Sequence, residues 1–244
     1  MTAASFRTDA GLIVPAITTA QMREVDRVAV DELGPNLYQM MENAGRNLAS
    51  LCVELLGDQW PSALIVVLAG TGGNGGGGIC AARHLANHGG TVTLVISNPS
   101  RLEGVPAEQL ALYRATGARV ATVADLDTAD AELLVDAVLG YSLSGAPHGA
   151  AAELIRWMSR HPAPVVSLDI PSGVDSTTAV APGDHVSATH TMTLAVPKTG
   201  LDAEAVGSLW LADIGIPREV YRRVGIELPP ALFTPGYRVR LQTS

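Results

Sequence analysis

The sequence is poor in positive charge. Lys198 is its single lysine, and 16 basic residues stand against 24 acidic ones, for a formal net charge of −8. Binding to nucleic acid depends on clustered lysine and arginine side chains. The composition therefore argues against a nucleic-acid partner, and an anionic ligand would have to be attracted by local backbone dipoles.

Long apolar segments and cysteines are also scarce. No apolar run approaches the roughly 20 residues that span a membrane, and residues 1–15 lack the basic and apolar regions of an export signal. The two cysteines, Cys52 and Cys80, and the six histidines show no spacing typical of a metal site. We therefore expect a cytoplasmic protein without a membrane partner, with buried free thiols and with histidines that are exposed or hydrogen-bonded.

Glycine, in contrast, is concentrated in one block. The apolar run at 63–69, ALIVVLA, ends in GTGGNGGGG, and helix-forming residues resume at Ile79. This order predicts a strand, a tight glycine loop and a helix whose N-terminal dipole points at the loop. Such an arrangement favours phosphate binding. The block lacks the Lys-Ser/Thr ending of a P-loop, and although G-x-G-x-x-G can be read from Gly70 to Gly75, a run this rich in glycine matches that pattern by chance. A flexible linker is the alternative interpretation.

The rest of the chain alternates between helical and β-type patterns. Thr18 and Gln21 have the spacing of a capping box, and apolar residues at helical spacing follow them. The predicted helices are 18–33, 38–56, one from 79, 106–116, 151–159 and 218–224, and the predicted strands are 63–69, 91–97, 118–123, 133–139, one from 164, one from 190 and 207–214. This alternation predicts an α/β fold with a parallel sheet covered on both faces.

We expect one domain over residues 1–244. Its motif-bearing core is 17–217, residues 1–16 form a loose lead-in, and residues 225–244 form a tail over the surface. In an open parallel sheet, ligands bind outside the carboxyl ends of the strands. Three features share that end: the glycine loop, Asp136 with the loop that follows it, and Asp169 with Ser172.

The polar residues at these turns suggest a cation site. Asn74, Asp136 and Ser172 can offer the oxygen ligands that hard cations prefer. For Asp136 and Asp169 the alternative is an acid that caps a helix or binds loop amides.

Two other parts of the sequence each allow two interpretations. Glu42 or Asn43 faces a pocket, or the segment MENAGR supplies small residues for a helix crossing. Lys198 is an exposed lysine at a strand end, with a Schiff-base lysine as the alternative.

Seven ordered segments resemble the YjeF N-terminal domain family. They are AQMREVD, MENAGR, AGTGGNGGGG with AARHL, VDAVLGYSLSG, SLDIPSGVD, VPKTGL and ADIGIP. The resemblance implies a Rossmann-like three-layer αβα fold with a mainly parallel central sheet, usually as a homodimer. It also implies the activity of the NAD(P)H-hydrate epimerases, which interconvert the R and S forms of NADHX and NADPHX at C6 of the nicotinamide ring. A separate NAD(P)HX dehydratase would act on the product, since a dehydratase-like domain does not follow here.

The same resemblance implies roles for individual residues. Asn74, Asp136 and Ser172 look like ligands of a potassium ion, and Asp169 looks like the catalytic acid beside the reacting ring. The implied substrate contacts are Gly73, Asn74, Gly75, Gly76, Gly77, Gly140, Tyr141, Ser142, Leu143, Ser144, Gly145, Ala146 and Asp169.

The glycine block departs from the family pattern. The family loop normally reads N-N-G-G-D-G, whereas residues 73–78 read G-N-G-G-G-G, so that Gly77 stands where the family has an aspartate. Leu139 replaces a common phenylalanine, and Thr189 replaces a common acid. Two alternatives follow: a diverged relative that catalyses another isomerisation or elimination on a specialised metabolite, and a non-catalytic binding or scaffold protein.

Overall fold

The computed structural model describes residues 5–201 and 203–243. The strands are β1 (Ser5–Thr8), β2 (Ile13–Pro15), β3 (Leu64–Ala69), β4 (Thr91–Ile96), β5 (Arg119–Ala121), β6 (Leu133–Ala137), β7 (Val165–Leu168), β8 (His190–Leu194), β9 (Ser208–Ala212) and β10 (Arg238–Thr243). The helices are α1 (Thr19–Val28), α2 (Leu37–Leu56), α3 (Gly73–Asn87), α4 (Gly104–Ala115), α5 (Gly149–Arg160), α6 (Ala203–Val206) and α7 (Arg218–Arg223).

These strands form one mixed sheet that is mostly parallel. Its order is β2-β1-β10-β9-β8-β7-β6-β3-β4-β5. Strands β3 to β9 pair in parallel, whereas β1, β2 and β10 add an antiparallel edge. The predicted fold class is confirmed.

Strand β3 shows why the sheet is covered on both faces. Ile65 and Val67 belong to a core cluster with residues of α2, α3 and α4, while Val66 and Leu68 belong to a second cluster with residues of α5. Successive side chains of a strand point to opposite faces. A continuous apolar run therefore requires helices on both sides of the sheet.

The prediction for the two ends of the chain was wrong within the described residues. The lead-in contains β1 and β2, and the tail contains β10, which lies between β1 and β9. Phe6, Val239 and Leu241 are buried, and Phe6 pairs with Thr243 across more than two hundred residues of sequence. Strands of three to six residues carry too little periodicity to be recognised, and the pairing of β1 with β10 joins segments that are distant in sequence.

The start of α3 also differs from the prediction. The helix begins at Gly73 rather than near Ile79, so most of the glycine block is helical. Each glycine costs a helix about 1 kcal/mol relative to alanine, but packing requires them here. A Cβ at Gly76 would lie 2.5 Å from Met41 Sδ, and a Cβ at Gly78 would overlap the Ala137 side chain. The glycines let the helix lie directly against the sheet and α2.

A further glycine permits the crossing of α2 and α3. A Cβ at Gly45 would lie 2.5 Å from the Cys80 Sγ, which confirms the interpretation of MENAGR as a crossing that needs small residues. Cys52 and Cys80 are both buried and free, as predicted.

The packing of α3 gives a matched test. We expect Gly78→Ala to lower the free energy of unfolding by about 1–3 kcal/mol, because the new methyl group overlaps Ala137 in a filled core. Gly73→Ala, at the open end of the same helix with no atom near its Cβ, should be neutral or stabilising by up to about 1 kcal/mol. Urea unfolding monitored by circular dichroism distinguishes them, and equal effects would contradict the close packing of α3.

Candidate functional site

The strand order places a crevice beside β3. The chain proceeds from β3 outwards through β4 and β5, and then returns to β6 on the other side of β3. The order therefore reverses between β3 and β6, which is where open α/β sheets bind ligands. A cavity of about 720 Å³ lies at the carboxyl ends of these strands, within the usual range for small-molecule sites.

A chain of hydrogen bonds connects the three predicted turns. Asn74 donates from Nδ2 to the Leu139 carbonyl at 2.9 Å. The Leu139 N–H donates to Ser172 Oγ at 2.8 Å, and Ser172 Oγ donates to Asp136 Oδ1 at 2.5 Å. The structure thus brings together Asn74, Asp136 and Ser172, which are far apart in sequence.

Asp136 is the buried centre of this network. Its carboxylate also accepts hydrogen bonds from Ser167 Oγ at 2.7 Å, from the Ser172 N–H at 2.8 Å and from the Val138 N–H at 3.3 Å. Burial raises the pKa of Asp136, and these hydrogen bonds partly oppose the rise. All four donors are neutral hydroxyl or main-chain groups. The carboxylate therefore holds loop amides in place, as the alternative interpretation of Asp136 stated.

The glycine block contributes to the cavity through its first half. Residues 70–74 and Gly77 line it, whereas Gly75 and Gly76 are buried outside the lining, so the structure places only three of the five residues predicted at 73–77 at the cavity wall. No side chain caps the N-terminus of α3 at Gly72. The first N–H groups of a helix lack partners within the helix, so this end presents donors and a positive dipole to the cavity.

The loop after β6 forms another wall of the cavity. All of its predicted residues line it, namely Gly140, Tyr141, Ser142, Leu143, Ser144, Gly145 and Ala146. The Tyr141 hydroxyl donates to Asp26 Oδ2 at 2.5 Å, and the Tyr141 N–H donates to Asp169 Oδ2 at 3.3 Å. Tyr141 thereby connects two acids that face the cavity.

Asp169 forms a buried ion pair with Lys198. The Lys198 Nζ lies 2.5 Å from Asp169 Oδ1 and donates to the Leu194 carbonyl at 2.9 Å. Lys198 is only 1% exposed, so the prediction of an exposed lysine was wrong. Asp169 has φ 70°, a left-handed conformation that costs energy outside glycine and is common at functional sites.

Asp26, on α1, was missed by the sequence analysis. It lines the cavity. Burial raises the pKa of its carboxyl, while the Tyr141 hydrogen bond and the charge of Lys198 lower it. Its position four residues after Met22, on the apolar face of the helix, could have indicated that Asp26 faces inward. Of the two open candidates on α2, Asn43 lines a separate cavity of about 500 Å³.

A family model described as YjeF-related protein N-terminus matches residues 37–200. The chain belongs to the YjeF N-terminal family.

Relatives within the family match most or nearly all of the chain. A Dehalogenimonas lykanthroporepellens protein named NAD(P)H-hydrate epimerase is 50% identical over 99% of both chains. A Hyperthermus butylicus protein named bifunctional NAD(P)H-hydrate repair enzyme Nnr is 36% identical over 92% of this chain and 42% of its own length. The crystal structure of yeast ynu0, YNL200c, has the same fold, with a TM-score of 0.77 and 20% identity over 88% of this chain and 95% of its own.

The departure from the YjeF family pattern at Gly77 lies at the floor of the cavity. Gly77 is buried in α3, and a Cβ there would lie 2.8 Å from Leu168 Cδ2. In this family member, the Leu168 side chain therefore occupies part of the space beside Gly77.

The Tyr141–Asp26 hydrogen bond predicts a pKa change. In Tyr141→Phe the pKa of Asp26 should rise further, because a hydrogen bond that favours the ionised carboxyl is lost. The pH titration of the aspartate carboxyl carbons by NMR measures this change. The exposed Tyr237 supplies the control, Tyr237→Phe, and an unmoved Asp26 in Tyr141→Phe would show that the hydrogen bond is absent in solution.

Proposed function

We propose that this chain is an NAD(P)H-hydrate epimerase, which interconverts the R and S forms of NADHX and NADPHX at C6 of the nicotinamide ring. The relative that is 50% identical over 99% of both chains carries that name. The observation on which the proposal mainly rests is the cavity itself. It has an uncapped helix N-terminus on one side and the Asp169–Lys198 pair on another.

The cavity suits a dinucleotide. The N-terminus of α3 offers N–H donors to the diphosphate, and Arg101, which follows β4 and lines the same cavity, adds a positive charge. The loop 140–146 surrounds the ligand from the side of β6. The net charge of the chain is negative and does not attract phosphates from a distance. Local groups such as these must therefore bind them.

The ion pair suits the reaction at C6. Loss of the C6 hydroxyl as water takes one proton and leaves a cationic iminium between N1 and C6. Addition of water to the opposite face of C6 restores the hydroxyl and releases the proton. We assign the proton transfers to Lys198 and its hydrogen-bonded partner Asp169, and the stabilisation of the cation to the Asp169 carboxylate.

A potassium ion fits the oxygen groups beside this cavity. Asp136, Ser172, Asn74 and the Leu139 carbonyl bring one buried carboxylate and three neutral oxygen ligands to one place. None of the described basic side chains forms an ion pair with Asp136, and a monovalent cation would supply the missing counter-charge. Potassium would hold the three turns together and shape the ligand loops, while Asp169 and Lys198 carry out the chemistry.

The oligomeric state, the cellular location and the partner enzyme are also proposed. We expect the S hydrate to pass to a dehydratase on a separate chain, because the 50% identical relative of equal length carries the epimerase name alone. The resemblance to the family further leads us to expect a homodimer in the cytoplasm. Among the described residues, no helix has the length and hydrophobicity to cross a bilayer. No observation favours the two alternative functions raised by Gly77.

The ion pair gives the main test. With R-NADHX and an S-specific dehydratase, wild-type protein should restore NADH absorbance faster than the spontaneous rate. Asp169→Asn and Lys198→Met should each lower kcat by roughly 100-fold or more.

Controls for folding are needed because each single variant leaves a buried charge unpaired. The double variant removes both charges, so it should unfold at a higher urea concentration than either single variant and remain inactive. A folded double variant with wild-type turnover would reject the assignment of both residues, and a wild-type protein without turnover would reject the function.

The cation proposal predicts a potassium-dependent stability. Replacing tetramethylammonium chloride by KCl at constant ionic strength should raise the Tm of the wild type by about 2–4 °C, because a ligand that binds only the folded state stabilises it. Asp136→Asn and Ser172→Ala should lose this shift, whereas Asp127→Asn, an exposed acid, should keep it. An equal shift in all four proteins would indicate a general salt effect.

A further inference from the structure

Three side chains with metal-binding atoms meet between α2 and α3, outside the cavity. Glu42 comes from α2, while Cys80 and His84 are four residues apart on α3 and share one face of it. Cys80 Sγ lies 3.3 Å from Glu42 Oε2, and His84 Nε2 lies 2.7 Å from Glu42 Oε1. One ligand atom from each residue falls within 4.8 Å of the others. We call these residues the Glu42–Cys80–His84 triad.

A positive group already occupies the centre of the triad. Arg83 Nη2 lies 2.6 Å from Glu42 Oε2, 3.5 Å from Cys80 Sγ and 3.3 Å from His84 Nε2. A single nitrogen therefore contacts all three members of the triad. The arrangement is that of a cation site filled by a guanidinium group.

A buried amide that has one unpartnered atom lies beside the triad. Gln109, on α4, is fully buried, and its Oε1 has no hydrogen-bond partner among the described residues. Its Nε2 lies 3.4 Å from Glu42 Oε2. A half-turn of the amide exchanges the two atoms and directs the oxygen into the triad. A buried carbonyl without a partner is unusual in a folded protein and points to a missing electropositive partner.

We propose that the Glu42–Cys80–His84 triad binds one Zn²⁺, with Gln109 as the fourth ligand and with Arg83 displaced towards solvent. Zinc accepts thiolate, imidazole and carboxylate ligands in four-coordinate sites, at roughly 2.0–2.3 Å, so the observed spacings require only small side-chain shifts. The Arg83 side chain is 14% exposed and the Glu42 side chain beside it is 32% exposed, so the cluster reaches solvent at Glu42.

Replacing the Arg83 guanidinium by Zn²⁺ leaves the net charge of the cluster unchanged. With Arg83 in place, one carboxylate and one guanidinium accompany a neutral thiol. With zinc in place, Cys80 releases its proton to water, and the two charges of the metal match one thiolate and one carboxylate. The partly buried cluster is neutral in both states, which avoids the cost of an uncompensated charge between the helices. The metal would cross-link α2, α3 and α4 on one face of the sheet.

Cobalt provides a direct test, because Co²⁺ bound to a thiolate absorbs in the near ultraviolet. Untagged wild-type protein should bind one Co²⁺ per chain with this band, and Zn²⁺ should displace it. Cys80→Ser should abolish the band, and His84→Ala should weaken binding by more than roughly 10-fold. Cys52→Ser and His88→Ala, which change a buried cysteine and an exposed histidine outside the triad, should bind as the wild type does.

The variant Arg83→Ala distinguishes a metal site from an ion pair that serves only stability. Removing the competing cation should tighten Zn²⁺ binding by roughly fivefold, the size of a partly exposed ion pair, while a purely structural Glu42–Arg83 pair predicts lower stability and no metal binding. The absence of the thiolate band in the wild type, or its persistence in Cys80→Ser, would overturn the proposal. Circular dichroism of each variant confirms that it is folded before the titration.

Discussion

One buried carboxylate, that of Asp136, determines how the cavity is built. It lies at the end of β6 and accepts hydrogen bonds from groups on β7 and on the two turns that follow β6 and β7. Ser172 and Leu139 extend the network to Asn74, in the first turn of α3. If these bonds were absent, the three turns would have no common anchor, because loops carry few contacts of their own.

The network lies between two ends of the cavity that differ in charge. On one side, α3 presents its N-terminus only because glycines allow the helix to lie against the sheet. On the other side, Asp169 takes a left-handed conformation and meets Lys198, two buried charges that stabilise each other. A dinucleotide carries negative charge on its diphosphate and, in an iminium intermediate, positive charge on its ring. The cavity offers complementary groups to both.

Much of this could be predicted from the sequence because it depends on local pattern. The apolar strands, the capping box at Thr18 and the carboxyl-end positions of Asn74, Asp136, Asp169 and Ser172 follow from spacing and from the properties of parallel sheets. The exposure of Lys198 was predicted wrongly, because burial of a lysine depends on a partner that lies 29 positions away in the chain. The strands β1, β2 and β10 were missed because each is short, and because β1 and β10 pair with each other from opposite ends of the chain.

The sequence by itself determined the alternation of strands and helices, the fold class and the turns that lie at the carboxyl ends of the strands. These properties follow from the periodicity of apolar residues and from the conformations that glycine and capping residues favour. Only the tertiary structure decided that the glycine block is helical, that Tyr141 joins Asp26 to Asp169, and that Glu42 meets Cys80 and His84. Each of those outcomes depends on distances between elements that are remote along the chain, and such distances are set by packing rather than by local preference.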